Sequence, residues 1–325
     1  MSYGTRRSSA AVRLTILNTI REEKNMTYRY VEIFLAVVEY GKMSEAAKRL
    51  FITQSSVSQA IAAIEKEYGI LLFERFSHSL RLTDEGRGLY AYARNLVAAR
   101  KDMDEFLSNS ARSRRLRVGA TVTVGTCVIS PILRELREAW PMTEISVFIS
   151  NTSAIEKQLL DNLLDVALVE GIVKSPDIVS EPVFCDRLVL IGSPGHRFSG
   201  RSTVDCRELP GEPMILREQG SGTRLLFEEQ MKRIGCPIRV TWECSNAEAI
   251  KNAVRDGHGL SVISARLVRR ELDEGSLWAC DVSGVELSRY FSIVYHKNKY
   301  LSESLEQFIG QCRNSAEREN SRALP

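Results

Sequence analysis

The most constraining feature of this sequence is a pair of helix-patterned stretches separated by "FIT", residues 51–53. Before it, "SEAAKRL" is a short helix whose Ala46 and Ala47 permit close approach of a neighbour. After it, Thr53 can cap a helix running to about Tyr68, where Gly69 supplies a left-handed stop. Upstream, "TYRYVEIFLAVVEYG" sets Val31, Phe34, Leu35 and Val38 at helical spacing and ends at Gly41. So short a link between two helices predicts a helix-turn-helix.

The helix after the turn has two unlike stripes. Val57, Ile61 and Ile64 make a buried face. Ser55, Ser58, Gln59 and Ala62, with Gln54 at the entry, make a face that is polar, small and uncharged. Small side chains let a helix approach a surface closely, and Gln and Ser carry both donors and acceptors, which suits base edges in a major groove. An ordinary solvated helix face is the competing reading.

The following stretch favours the nucleic-acid reading. "ILLFERFSHSLRLT" predicts strand, turn and strand, a small wing flanked by Arg75 and Arg81 that can meet phosphates. Thr83, Asp84 and Glu85 then open a long helix, with acids at its positive end. Leu89, Leu96 and Met103 recur every seven residues along it, with Ala93, Arg100 and Leu107 as a companion row and Tyr92 and Phe106 alongside. That spacing predicts a dimer helix; packing within its own chain is the alternative.

The segment "FLAVVEYGKMSEAAKRLFITQSSVSQAIAAIEKEYGILLFERFSHSLRLTDEG" strongly resembles the winged helix-turn-helix of LysR-type transcriptional regulators of bacteria. The resemblance implies double-stranded DNA as partner, at a near-palindromic promoter site, with Thr53, Gln54, Ser55, Ser56, Ser58, Gln59, Arg75, His78 and Arg81 at the interface. It implies a homodimer or tetramer through Leu89, Ala93, Leu96, Met103 and Leu107, with RNA polymerase as a further candidate partner. Two positions depart from the pattern. Lys42 stands where many members start the second helix with Ser or Thr, so Ser44 is expected to cap instead; His78 replaces an arginine frequent in the wing.

Beyond the basic, polar hinge "SNSARSRRL", strand and helix patterns alternate. "LRVGATV", "ISVFISN" and "DVALVEG" read as strands, with "VISPILRELREAW" and "SAIEKQLLDNL" as helices. A second set follows: "RLVLIGS", "PMILR", "IRVTWEC" and "GLSVISARLV", closed by "YFSIVYHK" and "SLEQFIGQC". Alternation of this kind predicts parallel sheets wrapped by helices. The fold class expected is α/β: an N-terminal winged helix-turn-helix, a linker dimerisation helix, and a two-lobed domain like a type 2 periplasmic binding protein, which resembles the family's effector domain. The boundaries read as 1–26 basic extension, 27–84 DNA-binding domain, 85–115 linker helix and hinge, 116–313 effector domain and 314–325 tail. Residues 1–25 are either a flexible extension or sequence preceding a start at Met26.

Ligands of open α/β sheets bind beyond the carboxyl ends of strands. Three segments should converge there, offering Thr121 and Thr123, then Asn151 and Thr152, then Ser221, Gly222 and Thr223. Hydroxyls and N–H groups at helix starts suit a small anion. Taken singly, each Ser or Thr is better explained as a helix cap; it is the coincidence of three loops that favours a site. "GSGTR" also resembles the segment of regulators that sense small oxyanions, sulfur oxyanions included.

Charge and cysteine usage agree with this division. The net +3 is uneven: residues 1–26 carry five basic against two acidic residues, and residues 85–115 seven against four. The excess therefore lies in the N-terminal third, where an anionic polymer is expected to bind. Seven Cys without CxxC favour free thiols in a reducing cytoplasm. A redox pair of Cys236 and Cys244 remains open beside the bland reading of buried thiols. The four His show no metal-ligand spacing, so neither metal nor cofactor is expected, and the longest uncharged stretch, Val118–Leu133, is too short for a membrane span. The absence of GxxxxGK[ST], GxSxG and HExxH argues against an enzyme.

Overall fold

A computed structural model describes residues 26–76, 79–108 and 114–323. The chain divides into two compact units, residues 1–103 and 104–325.

The first unit opens with α1 (Tyr28–Tyr40), capped by Thr27 and closed by Gly41 at φ 67° with its N–H on Val37 O. Helix α2 (Met43–Leu50) follows, then α3 (Gln54–Tyr68). Ser44 does not cap α2 as expected; it lies inside the helix, and Lys42 holds the cap position without a side-chain bond. Phe51 makes the turn between α2 and α3 in the left-handed region, at φ 55°. Val57, Ile61 and Ile64 pack with Phe34, Val37, Ala46 and Leu72, the core that the pattern implied. The wing is an antiparallel pair, β1 (Phe73–Phe76) and β2 (Ser79–Leu82), with Glu74 opposite Arg81.

Helix α4 (Asp84–Ser108) starts where the chain presses against the wing. Thr83 Oγ1 donates to Leu71 O at 2.6 Å and accepts from Gly86 N–H at 2.9 Å. A Cβ on Gly86 would collide with the Leu72 carbonyl oxygen, so this first turn tolerates no larger residue. Ala93 is buried in the unit's own core, so it is not available to a seam, and Leu89 is half-buried against that core. Tyr92, Leu96, Met103 and Leu107 are exposed.

The second unit begins with β3 (Arg114–Thr121), so Arg114 and Arg115 belong to a strand and not to the hinge; residues 109–113 of that hinge lie outside the described residues. Strand β3 is flanked in parallel by β4 (Thr143–Ser150) and β5 (Val166–Glu170). Helices α5 (Val122–Cys127), α6 (Ile129–Ala139) and α7 (Thr152–Leu160) cover this first lobe. The sheet is mixed, not parallel: the strand next to β5 runs antiparallel to it, and beyond that strand lies one long strand, β6 (Ile178–Gly192). Its first part pairs antiparallel with β12 (Ser288–His296); its last residues, Leu188–Ile191, pair antiparallel with β10 (Ser261–Ser264). Strand β11 (Trp278–Ser283) also runs antiparallel to β6, and parallel to β7 (Thr203–Asp205). Thus β6 leaves the first lobe and enters the second, and β12 returns beside it.

The second lobe adds the parallel pair β8 (Pro213–Arg217) and β9 (Arg239–Cys244) with helices α8 (Gly222–Arg233), α9 (Ala247–Arg255) and the short α10 (Arg269–Asp273). Each lobe has its own apolar core: Val118, Ile132, Phe291 and Phe308 in one, Leu190, Leu216, Phe227 and Leu260 in the other. Residues 314–323 are not a tail. Helix α11 (Glu303–Ala323) runs through them, buries Ala316, and pairs Glu319 with Arg266. The polar composition of "NSAEREN" hid this, because a single buried alanine, Ala316, is a weak periodic signal.

Candidate DNA-reading face and effector cleft

Thr53 holds the start of α3 by accepting from Ser56 N–H at 3.1 Å, and its hydroxyl lies 2.8 Å from both Ser55 Oγ and Ser56 Oγ. Gln54, Ser55, Ser56 and Gln59 are exposed. Ser58 is half-buried and donates to Met43 Sδ at 3.2 Å, so it faces the groove less freely than the sequence suggested. The same stripe continues through exposed Ala62 to Lys66, a cation missed in the sequence although it stands seven residues beyond Gln59. Arg81 is exposed on β2. Arg75 pairs through its backbone with Leu80, while its side chain and His78 lie outside what is described.

In the two-lobed unit two of the three expected loops bond to each other directly, and Thr121 of the third is linked to them through Glu170. Ser153 N–H donates to Gly220 O at 3.2 Å, and Gly222 N–H to Thr152 Oγ1 at 3.2 Å. Thr152 Oγ1 in turn donates to Glu170 O at 2.9 Å. A Cβ on Gly222 would strike the Glu170 carbonyl oxygen, so glycine is what lets the start of α8 seat against the end of β5.

The seven expected residues then divide into two roles. Thr152 and Gly222 form this seam. Asn151 Oδ1 caps α7 by accepting from Ala154 N–H at 3.0 Å. Thr223 Oγ1 donates to Glu170 Oε1 at 3.3 Å and accepts from Arg289 Nη1 at 2.9 Å. Thr121 Oγ1 accepts from Glu170 N–H at 3.1 Å, leaving its own proton to donate. Thr123 and Ser221 differ from all of these: each is 1% exposed, and neither hydroxyl has a hydrogen-bond partner. Ser221 occupies the N-cap position of α8 without capping it.

Sequence reasoning missed the charges behind the hydroxyls. Glu170, Asp186, Arg217 and Arg289 are all buried. Arg217 donates to both oxygens of Glu218, at 2.9 and 3.0 Å, and lies 4.0 Å from Glu170. Burial alone would raise the Glu218 carboxyl, but the Arg217 hydrogen bonds and charge outweigh it and hold it below the usual range. Arg217 and Glu218 are adjacent in sequence and read as strand end and loop; Arg289 precedes the predicted start of its strand. Nothing in either pattern announces a buried ion network, because periodicity registers apolar residues.

Cys236 packs against the apolar cluster of Phe227 and Leu260, and Cys244 against that of Ile250 and Leu277. Burial, with the Glu218 and Glu243 charges, pushes the Cys244 thiol up, away from the reactive thiolate. Among the described residues, no group of three His, Cys, Asp or Glu is placed to hold a metal, and no helix is long and apolar enough to cross a membrane.

A winged helix-turn-helix with an open polar reading face, joined in one chain to a two-lobed ligand-binding fold, defines a ligand-responsive DNA-binding regulator. Residues 28–87 match the bacterial regulatory helix-turn-helix protein model of the lysR family, and residues 109–317 match the LysR substrate binding domain. The chain belongs to the LysR family, and is a DNA-binding transcriptional regulator with an effector-binding domain rather than an enzyme. It is 32% identical to the HTH-type transcriptional activator CmpR of Synechocystis over 88% of this chain and 94% of the relative. It is 30% identical to the HTH-type transcriptional regulator YeiE of Escherichia coli K12, over 89% and 97%. Among solved structures, the Synechocystis CcmR regulatory domain in complex with 2-PG is similar at a TM-score of 0.59 and 27% identity, covering 63% of this chain and 98% of that one.

Proposed function

We propose that this regulator reads a near-palindromic duplex as a homodimer or a tetramer built from such dimers, and that a small anion in the inter-lobe cleft sets its activity. Helix α3 enters the major groove, with Gln54 and Gln59 on base edges and Arg75, Arg81 and Lys66 toward phosphates. Tyr92, Leu96, Ala99 and Met103 are exposed on α4 at spacings of four, three and four, a heptad seam for a second copy. The protein works without a cofactor, in the cytoplasm, and engages RNA polymerase from the promoter.

The observation that carries the anion is that two of the expected hydroxyls, Thr123 and Ser221, are buried without a partner; a third such hydroxyl, Ser261, lies on β10 outside these loops. A buried hydroxyl without a partner costs free energy, and it is retained where something else completes it. Ser221 sits at the start of α8, twelve residues long, where free N–H groups and the helix dipole favour negative charge. The charges behind do not oppose it, since Arg217, Arg266 and Arg289 balance Glu170, Asp186 and Glu218. The similar CcmR regulatory domain is in complex with 2-PG, which supports a small-molecule ligand for this domain as well. Calorimetry of the full chain against oxyanions, sulfur oxyanions among them, and short carboxylates tests it. Binding of at least one anion that Thr123→Val and Ser221→Ala abolish is the expected result; no binding, or equal binding by both variants, overturns it.

A further inference from the structure

Arg289 stands on the strand by which the chain returns to the first lobe, opposite Asp186 on the strand by which it leaves. Its guanidinium is 4% exposed and has three arms. Nε donates to Asp186 Oδ2 at 2.8 Å, Nη1 to Thr223 Oγ1 at 2.9 Å, and Nη2 to Glu170 Oε2 at 3.4 Å. Asp186 lies on the crossover itself and is fixed on its other oxygen by Ser264 Oγ at 2.6 Å. Glu170 ends β5 in the first lobe; Thr223 lies in the first turn of α8 in the second. One rigid planar fork therefore joins the hinge to both lobes at once.

These arms respond differently to lobe movement. The Asp186 arm runs between two strands that form the hinge, so rotation of one lobe against the other leaves it in place. The Thr223 arm spans the seam, and a guanidinium cannot bend to follow a departing partner. Thr223 also donates to Glu170, so opening the lobes removes two hydrogen bonds from buried groups together. Buried polar networks of this kind are favourable when complete and costly when half made, which gives closure two discrete states.

We propose that Arg289 is a positioning residue for the effector response: a hinge-anchored clamp, with Thr223 as its releasable jaw, that sets how far the lobes are closed before any ligand arrives. Its regulatory consequence rests on the reading of the cleft as the effector site. A ligand's apparent affinity scales with the fraction of molecules already competent to bind it, so loosening the clamp at Arg289, which is outside the expected effector contacts, weakens binding.

Hydrogen exchange on the full chain, without DNA or anion, tests the clamp separately from the ligand. Ser153 N–H and Gly222 N–H are bonded across the seam and report its opening. Thr223→Val, which keeps the shape and removes the hydroxyl, is expected to speed exchange in peptides containing these two amides about tenfold or more. Peptides from β5 and from the α3 core should exchange as in the parent chain. Thr223→Ser should restore slow exchange, and Arg289→Lys should behave like Thr223→Val because it loses the fork. Unchanged exchange at Ser153 and Gly222, or acceleration spread equally through both lobes, would overturn the clamp. Failure of every anion to bind would instead count against the effector reading and leave this result standing.

Discussion

Thr123 in the first lobe and Ser221 in the second each bury a hydroxyl, 1% exposed, that has no hydrogen-bond partner. An unsatisfied buried polar group costs about 1–3 kcal/mol, and an apolar group of the same shape removes that cost. Thr123→Val is therefore expected to raise the melting midpoint of the ligand-free protein. For a domain of this size, each 1 kcal/mol corresponds to roughly 2–4 °C. The same variant should lose its anion response. Thermal unfolding with and without anion checks both halves. A lower midpoint without ligand would mean the hydroxyl serves the fold rather than a ligand.

Leu96 and Ala93, three residues apart on α4, should respond oppositely to substitution. Leu96 is 47% exposed and Ala93 is 2% exposed. Leu96→Glu is expected to halve the mass seen by sedimentation while leaving the helix-turn-helix core intact. Ala93→Leu should leave the mass unchanged and destabilise the core by about 1–3 kcal/mol through overpacking. An unchanged oligomer for Leu96→Glu would place the interface elsewhere.

Acid stability should depend on Asp165. Burial would raise its carboxyl, but hydrogen bonds from Arg117 and the charge of Lys299, 2.8 Å away, hold it below the ordinary range. A carboxyl depressed in the folded state contributes stability that is fully present above its unfolded value, near pH 4, and is lost as pH falls through the folded value. Asp165→Asn is expected to cost on the order of 3 kcal/mol at pH 7 and much less at pH 2. Denaturant melts across that range measure it. An equal cost at both pH values would show that packing, not charge, is what the residue supplies.

Much of the first unit was legible because its chemistry is local. Gly41 and Gly69 stop helices where left-handed backbone is needed, and Val57, Ile61 and Ile64 are buried as their spacing implied. What failed depended on distant partners. Ala93 looks the same in sequence whether it meets a second chain or its own core. The first half of β6, "IVSEPVF", lacks clean alternation because its pairing with β12 is interrupted at Val183, where the register shifts. At the cleft, hydroxyl-bearing loops are visible as helix starts, yet whether a hydroxyl is satisfied, as in Thr223, or orphaned, as in Thr123, depends on side chains such as Arg289 that lie far along the chain.

Base reading by α3 is the central claim, and Gln54 and Gln59 carry it because both are exposed and leave their side-chain amides open to a partner. The most direct measurement is selection of bound duplexes from a randomised pool by the full chain, followed by affinity titrations on the selected site. The parent chain is expected to select two related half-sites. Gln54→Ala/Gln59→Ala should lose base preference, with each lost base contact costing about 1–3 kcal/mol on the selected site, while keeping salt-dependent affinity for any duplex. Identical selected sequences and identical affinities for the parent and the double variant would contradict the claim.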